Sequence, residues 1–397
     1  MPIIIFISII HMSALFMLTP VLPLVREFYE ISEHHISYIM QSFAISSIIG
    51  AIVLGTLSDK FGRKPMLLLG VIGSALSYII TIYADTYSLF LLSRVASGFF
   101  NGSFCVAFAA SSDISTPETR LKNMATLGAA FAISMIIGPT LGGFSTSFST
   151  DLRSMMMAPF MVSIVLYTIA TLLILFLFKE TLTKKTTKID GSNVVKDLYK
   201  LFSNKSFLFT TCLNIAYTMV MTVPQIFIGL YLTEFFNFDP IHIGYFWSTM
   251  AVFMVVSQGI IRKYLYNKSS KIMIVSAFAT MAIGFLGLNL ANNLIAVYFF
   301  MIIICMASAF LSANIMTKIS LSGEGNLGMT MGIGQSLSAI GRSLGPILGS
   351  YLIVTGSYTT AWLVLAIICC GLSVASFLGL KSAPKKSPTP TPSSSLE

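Results

Sequence analysis

Apolar runs of about 20 residues, the length that crosses the hydrocarbon core of a bilayer, recur from one end of the chain to the other. Twelve can be counted, over residues 2–25, 36–57, 66–84, 88–112, 121–146, 154–178, 206–233, 243–261, 272–291, 294–317, 328–353 and 359–380. Polar bridges between them are short: Asp85 to Tyr87 part the third and fourth runs, and Asn292 with Asn293 part the ninth and tenth. The pattern predicts an all-α membrane protein of twelve transmembrane helices. Composition agrees, with 55% hydrophobic residues, 10% charged and a mean hydropathy of +0.85, where a soluble domain carries roughly 25% charged residues.

Charge sets the orientation. With the N-terminus in the cytoplasm, 20 of the 24 Lys and Arg fall in cytoplasmic segments, only Arg26 and Arg153 fall outside, and Arg94 and Arg342 lie within spans. This bias follows the positive-inside rule and predicts both termini inside. The net charge of +9 is then a matter of topology, and no nucleic-acid partner is implied. The first run lacks a basic leader and a small-residue cleavage site, so it reads as a retained helix and not a signal peptide. The five cysteines all fall in predicted spans without CxxC spacing and read as packing thiols.

A polar linker over 179–205 divides residues 1–178 from 206–380, and a Pro/Ser-rich tail over 381–397 is expected to be disordered. Punctuation repeats across the linker. Gly138-Pro139 and Gly345-Pro346 stand 207 residues apart, followed by Gly142 (with Gly143) and Gly349, while Gly55 and Gly259 are 204 apart. Two six-helix bundles related by a parallel repeat are expected, the plan of secondary transporters with a central site. Two roles fit the GPxxG segments: close packing through small residues, and a bend where proline removes a helix hydrogen bond.

Polar groups at membrane depth are functional candidates, because each costs several kcal/mol unless it finds a partner or a cavity. Arg94, Ser97 and Asn101 share one face of the fourth run, and Gln335, Ser338 and Arg342 share one face of the eleventh. His11, Gln41, Asn214, Tyr217, Gln225, Trp247 and Asn314 complete the candidate substrate and proton pathway. Arg342 falls about 21 Å beyond Gly328, near mid-membrane. Each buried arginine either works in a transport cycle or ties helices together. His11, about 14 Å into its run, is either a proton carrier, with a pKa near neutrality, or a neutral hydrogen-bonding group. No Asp or Glu falls near the middle of any run.

Three motifs resemble the major facilitator superfamily, in its twelve-helix drug:proton antiporter branch: GTLSDKFGRKPM at 55–66, LLSRVASGFFNG at 91–102 and GPTLGG at 138–143. TPVLPLVREF, SSDISTPETR and FKETL are similar to the tetracycline-resistance type. The resemblance implies a conformational latch of Gly55, Asp59, Gly62, Arg63 and Lys64 with Asp113 and the start of the eleventh helix, closed when the cavity faces outward. A plain anchor of positive charge is the other reading. Where that group has acids in helices one, three and nine, this chain has His11, Ser77 and no counterpart, so metal-tetracycline transport through those acids is not expected. No metal cluster, cofactor-binding loop or catalytic constellation is present. The expectation is a non-enzymatic, monomeric secondary transporter of the bacterial inner membrane that exports a small amphipathic organic compound, drug-like or an organic anion, in exchange for protons by alternating access; two arginines without a mid-membrane carboxylate disfavour a cationic drug. Metabolite uptake or facilitation by the same fold, and a membrane sensor without net flux, are the competing readings.

Overall fold

The computed structural model describes residues 1–182, 201–264, 270–321 and 327–380, leaving aside a number of side chains between 117 and 132, 258 and 270, and 320 and 336. The first span is broken into α1 (Pro2–Phe16) and α2 (Leu22–Phe28), joined by a 3₁₀ turn at Thr19–Val21 where Pro20 interrupts the helix. Then come α3 (Glu33–Phe61), α4 (Arg63–Ile82), and a fourth span divided at Gly102 into α5 (Tyr87–Asn101) and α6 (Phe104–Asp113). Helices α7 (Pro117–Thr146) and α8 (Leu152–Phe176) close the first half. The second half comprises α9 (Lys205–Phe236), α10 (Pro240–Tyr264), α11 (Ser270–Asn289), α12 (Leu294–Leu321), α13 (Leu327–Thr355) and α14 (Tyr358–Gly379). Among the described residues eleven spans are long and apolar enough to cross a membrane, and the 30-residue α7 supplies the remaining run. Most of the linker and the whole tail lie outside the described residues.

Helix starts follow local chemistry. Asp151, Asn204 and Ser357 accept the free N–H groups that open α8, α9 and α14, as capping side chains do. Pro139, Pro159, Pro224 and Pro346 sit inside continuous helices, which neighbouring helices make tolerable in a membrane bundle.

Packing repeats between the halves. In the first, α4 packs against α8 and α5, α3 against α5, and α1 against α7; in the second, α11 packs against α14 and α12, α10 against α12, and α9 against α13. The halves meet along two seams, α7 with α10 and α3 with α13. Large apolar side chains such as Ile52, Phe176, Ile295 and Ile367 are exposed on the perimeter, the inverse of a soluble surface. Cys305 and Cys369 are buried, as packing thiols should be, but Cys212 and Cys370 reach the exposed surface.

Candidate functional site between the halves

One end of the bundle, the far end, holds the turns opposite the chain termini. Both seams close there. Ser37 of α3 donates a hydrogen bond to the carbonyl of Pro346 on α13 at 2.8 Å. In the other seam, an ideal Cβ on Gly244 would stand 2.5 Å from the carbonyl of Pro139, and one on Gly143 would stand 2.5 Å from that of Pro240. Ser37 and Gly244 are separated by the same 207 residues as Pro139 and Pro346. The repeat therefore aims each proline carbonyl at the equivalent position of the opposite half.

Ser248 adds hydrogen bonds to Thr140 and to the Ile136 carbonyl. Arg26 reaches Glu33 at 2.9 Å within its own half and Glu234 at 3.5 Å across the gap. Among the described residues, every hydrogen bond between the halves lies within about ten residues, or roughly 15 Å, of the far end. The glycines of the repeated motif divide accordingly. Gly138 and Gly142 abut α1 and the residue after it, with ideal Cβ positions 2.7 Å from the Ser13 carbonyl and 2.5 Å from that of Met17. Gly345 and Gly349 abut α9 at Met219 and Phe227. Gly143 alone among these faces the opposite half.

Inside the first half, His11 donates from Nε2 to Asn101 Oδ1 at 2.9 Å, and the Asn101 amide donates to Ser47 at 3.3 Å. The imidazole lies parallel to Phe104 and edge-on to Tyr167. Sequence spacing placed Arg94 on the same face as Asn101, yet its guanidinium occupies a separate, fully buried cage. It lies 4.8 Å from the Tyr78 ring, 5.2 Å from Phe160 and 5.6 Å from Phe90. Among the described residues one hydrogen bond, to Thr81 at 3.1 Å, is made, while Nε and Nη1 have no partner. Ser97 turns its hydroxyl back onto the Arg94 carbonyl. Three ring faces balance this cation in place of a carboxylate.

In the second half, Asn214 donates to the Gly334 carbonyl at 3.4 Å, Tyr217 to that of Ser308 at 3.2 Å, and Asn314 to Phe310 of its own helix. Trp247 is buried with its indole N–H unpartnered, and Gln41 and Gln225 are half-buried. The side chain of Gln335 lies outside those described.

Arg342 behaves differently from Arg94. Its side chain is exposed, donating to Ser338 at 3.0 Å one turn back, with Tyr217 close enough to interact electrostatically. The exposed large apolar residues of α13 are Ile340, Leu344, Ile347, Tyr351 and Val354. At about 100° per residue these lie within about 60° of the direction opposite Arg342. On one side of Arg342, Gly341 and Gly345 abut α9; on the other, Pro346 meets α3. The guanidinium is thus exposed towards the space between the halves.

The latch residues gather at the near end. Arg63 bonds Asp59 and Ser58, each at 2.6 Å, and Asp113 at 2.9 Å. Gly55 leaves room for Cys105, 3.3 Å from where a Cβ would be. Gly62 has φ +113°, a conformation that requires glycine. The organiser that sequence reasoning missed is Glu180. Its carboxylate accepts the N–H groups of Arg63 at 2.9 Å and Lys64 at 3.0 Å, opening α4, and also those of Thr181 and Leu182. Burial works against its charge, but the backbone N–H groups of Leu182, Arg63, Lys64 and Thr181 outweigh it and hold the carboxyl below its ordinary value. Thr181 donates to the Asp113 oxygen that also receives Arg63, and the Lys64 ammonium bonds the Leu175 carbonyl at 2.8 Å. The first residues of the linker are therefore bonded into the latch. The only sequence signal was FKETL, noted as a similarity. The side chains at the start of α13, where the latch was expected to dock, lie outside those described.

A family model described as Major Facilitator Superfamily matches residues 4–324 and 269–396. The chain is 26% identical over 413 residues to the class H tetracycline resistance protein of Pasteurella multocida, covering 98% of each. Among solved structures it is similar to the human organic anion transporter MFSD10 (TETRAN), with a TM-score of 0.70 at 19% identity over 96% of this chain and 98% of that one. A D-xylose-proton symporter gives a TM-score of 0.81 at 13% identity, covering 96% and 97%. Likeness at these identities concerns the fold alone.

Proposed function

Because the chain belongs to the Major Facilitator Superfamily, we propose that it is a secondary active transporter that exports a small amphipathic organic compound, drug-like or anionic, in exchange for protons. The observation that carries this reading is the closure of the far end: among the described residues the inter-half hydrogen bonds gather there, while an exposed arginine fronts the space between the halves. A passage shut at one end is one state of an alternating-access cycle. In this reading the near end, flanked by most of the Lys and Arg, faces the cytoplasm of a bacterial inner membrane, which makes this state inward-facing. The bundles 1–178 and 206–380 rock against one another about the linker 179–205, within a monomer, and the tail 381–397 takes no part.

Two observations support the proposed direction and coupling. The tetracycline resistance relative spans the same length, and resistance of that kind fits export. His11, buried and held by Asn101, is the proton carrier in this reading: an imidazole that water reaches changes charge near neutral pH, and no carboxylate lies in the middle of a run. Arg342, Ser338, Tyr217, Asn214, Trp247, Gln41 and Gln225 line the substrate path, and Arg94 braces the first half. Purified protein in proteoliposomes with an imposed pH gradient, screened over anionic, neutral and cationic amphiphiles, tests the proposal. Gradient-driven flux of at least one compound is expected. Its absence across all three classes overturns the reading.

A further inference from the structure

We infer that Arg342 is the recognition group for an amphipathic monoanion, one planar acidic head such as a carboxylate on an apolar body. The inference rests on the transport reading and narrows its substrate class. Its basis is an imbalance of charge. Among the described residues, the only hydrogen bond of the Arg342 guanidinium is the one to Ser338, leaving Nε and Nη2 uncommitted. Among the described residues no acid pairs with it. The described carboxylates that form ion pairs are Glu33, Asp59, Asp85, Asp113, Glu234 and Asp239, all near helix ends. Arg94, the other arginine at depth, is enclosed by rings and sealed from the passage.

Depth gives the second part. Pro346 is held against Ser37 at the closed end; Arg342 lies one turn nearer the open end on α13, and Gln41 one turn nearer it on the antiparallel α3. A bound molecule at this level would meet both halves, the guanidinium from one and an amide from the other. A guanidinium presents parallel donors that match the two oxygens of a carboxylate. Tyr217, half-buried beside it, suits an aromatic or aliphatic body. A cationic head would meet a fixed positive charge with no acid to offset it, so the site discriminates by sign before shape.

Binding can be measured without any gradient. Fluorescence titration of detergent-purified full-length protein with dansylglycine, and with its neutral amide dansylglycinamide, compares two molecules that differ in the acidic head. A second pair, naphthalene-2-carboxylate and its amide, is measured by competition or by thermal stabilisation. The wild type is expected to bind each acid roughly tenfold or more tightly than its amide, a factor typical of a gained charge-assisted hydrogen bond. Arg342→Gln is expected to bring acid and amide to equal affinity, with the melting temperature as the check that the variant is folded; Arg342→Lys retains part of the preference. Equal affinity of acid and amide in the wild type, no binding of either acid, or a preference that survives in Arg342→Gln with unchanged melting temperature overturns the inference. These results differ from failure of the transport reading, which is a lack of flux for every charge class in the pH-gradient experiment.

Discussion

Gly142 and Gly143 are neighbours in one motif but are predicted to respond to the same substitution in different ways. In Gly143→Ala the new methyl would stand 2.5 Å from the Pro240 carbonyl of the opposite half, where ordinary contact begins at 3.4 Å. The obstacle is backbone, so no rotamer change relieves it. The α7–α10 seam must widen by about 0.9 Å, and overpacking of this kind costs about 1–3 kcal/mol. The cost falls only on the state in which the far end is shut, so the balance between states shifts by roughly 5–150-fold towards far-end opening. In Gly142→Ala the methyl meets the Met17 carbonyl at the same 2.5 Å, but that contact lies within one half and persists in both states. The expected consequence there is lower stability with an unchanged balance. Spin labels at Thr150→Cys and Asp239→Cys, exposed on opposite halves of the far end, introduced after removal of the native cysteines, report the separation as a distance distribution. A longer-distance population that grows in Gly143→Ala and not in Gly142→Ala is expected. Identical distributions in the two variants, each folded, would refute the reasoning that Gly143 is a contact of one state.

Three further outcomes follow from the geometry. Glu180→Gln is expected to loosen the start of α4 by about 1 kcal/mol, the usual value of a helix-capping group, read as a lower melting temperature. Because the folded carboxyl is held below its ordinary value, its stabilisation is full above the ordinary carboxylate range and fades as pH falls through the depressed value; the wild-type advantage over Glu180→Gln should therefore shrink in acid, and a difference that grows there would contradict the assignment. Arg94→Leu should destabilise by about 2–5 kcal/mol, since it empties a ring-lined, fully buried site, with Arg94→Lys intermediate because an ammonium loses the planar stacking; thermal unfolding in detergent measures both. His11→Ala is expected to abolish gradient-driven flux while leaving counterflow exchange of substrate, whereas full retention of gradient-driven flux removes His11 as the proton carrier.

Much of the fold was legible because the bilayer imposes so simple a rule. The twelve apolar runs correspond to the eleven spans that qualify among the described residues together with the 30-residue α7, and the 207-residue offset of two Gly-Pro pairs anticipated the repeated packing. Breaks inside the first and fourth spans were not legible, since hydropathy does not register the turn at Pro20 or the division at Gly102. Periodicity placed Arg94 and Asn101 on one face of a helix, but it could not show that the rings of Tyr78 and Phe160, from two other helices, would enclose one and leave the other to His11. Glu180 escaped because its partners are backbone N–H groups more than a hundred residues away. Such groups carry no sequence signature.

The closed end also explains how a passage can be sealed and still switch. Its inter-half bonds among the described residues are an ion pair between partly exposed side chains, worth about 0–1 kcal/mol, and a few neutral hydrogen bonds at about 0.5–1.5 kcal/mol each. Much of the remaining closeness is glycine backbone against carbonyl, which excludes solvent by shape and adds little that must be broken at once. A seam of a few kcal/mol lies within reach of the 1–3 kcal/mol that a ligand's differential affinity ordinarily supplies. The latch at the opposite end is built differently, from Arg63 between two acids with its neighbours tied to the linker. Those bonds lie within the first half and its linker, so they hold their geometry while the halves move. In the proposed cycle one end thus consists of contacts that form and part, and the other of a rigid fitting against which the second half would close.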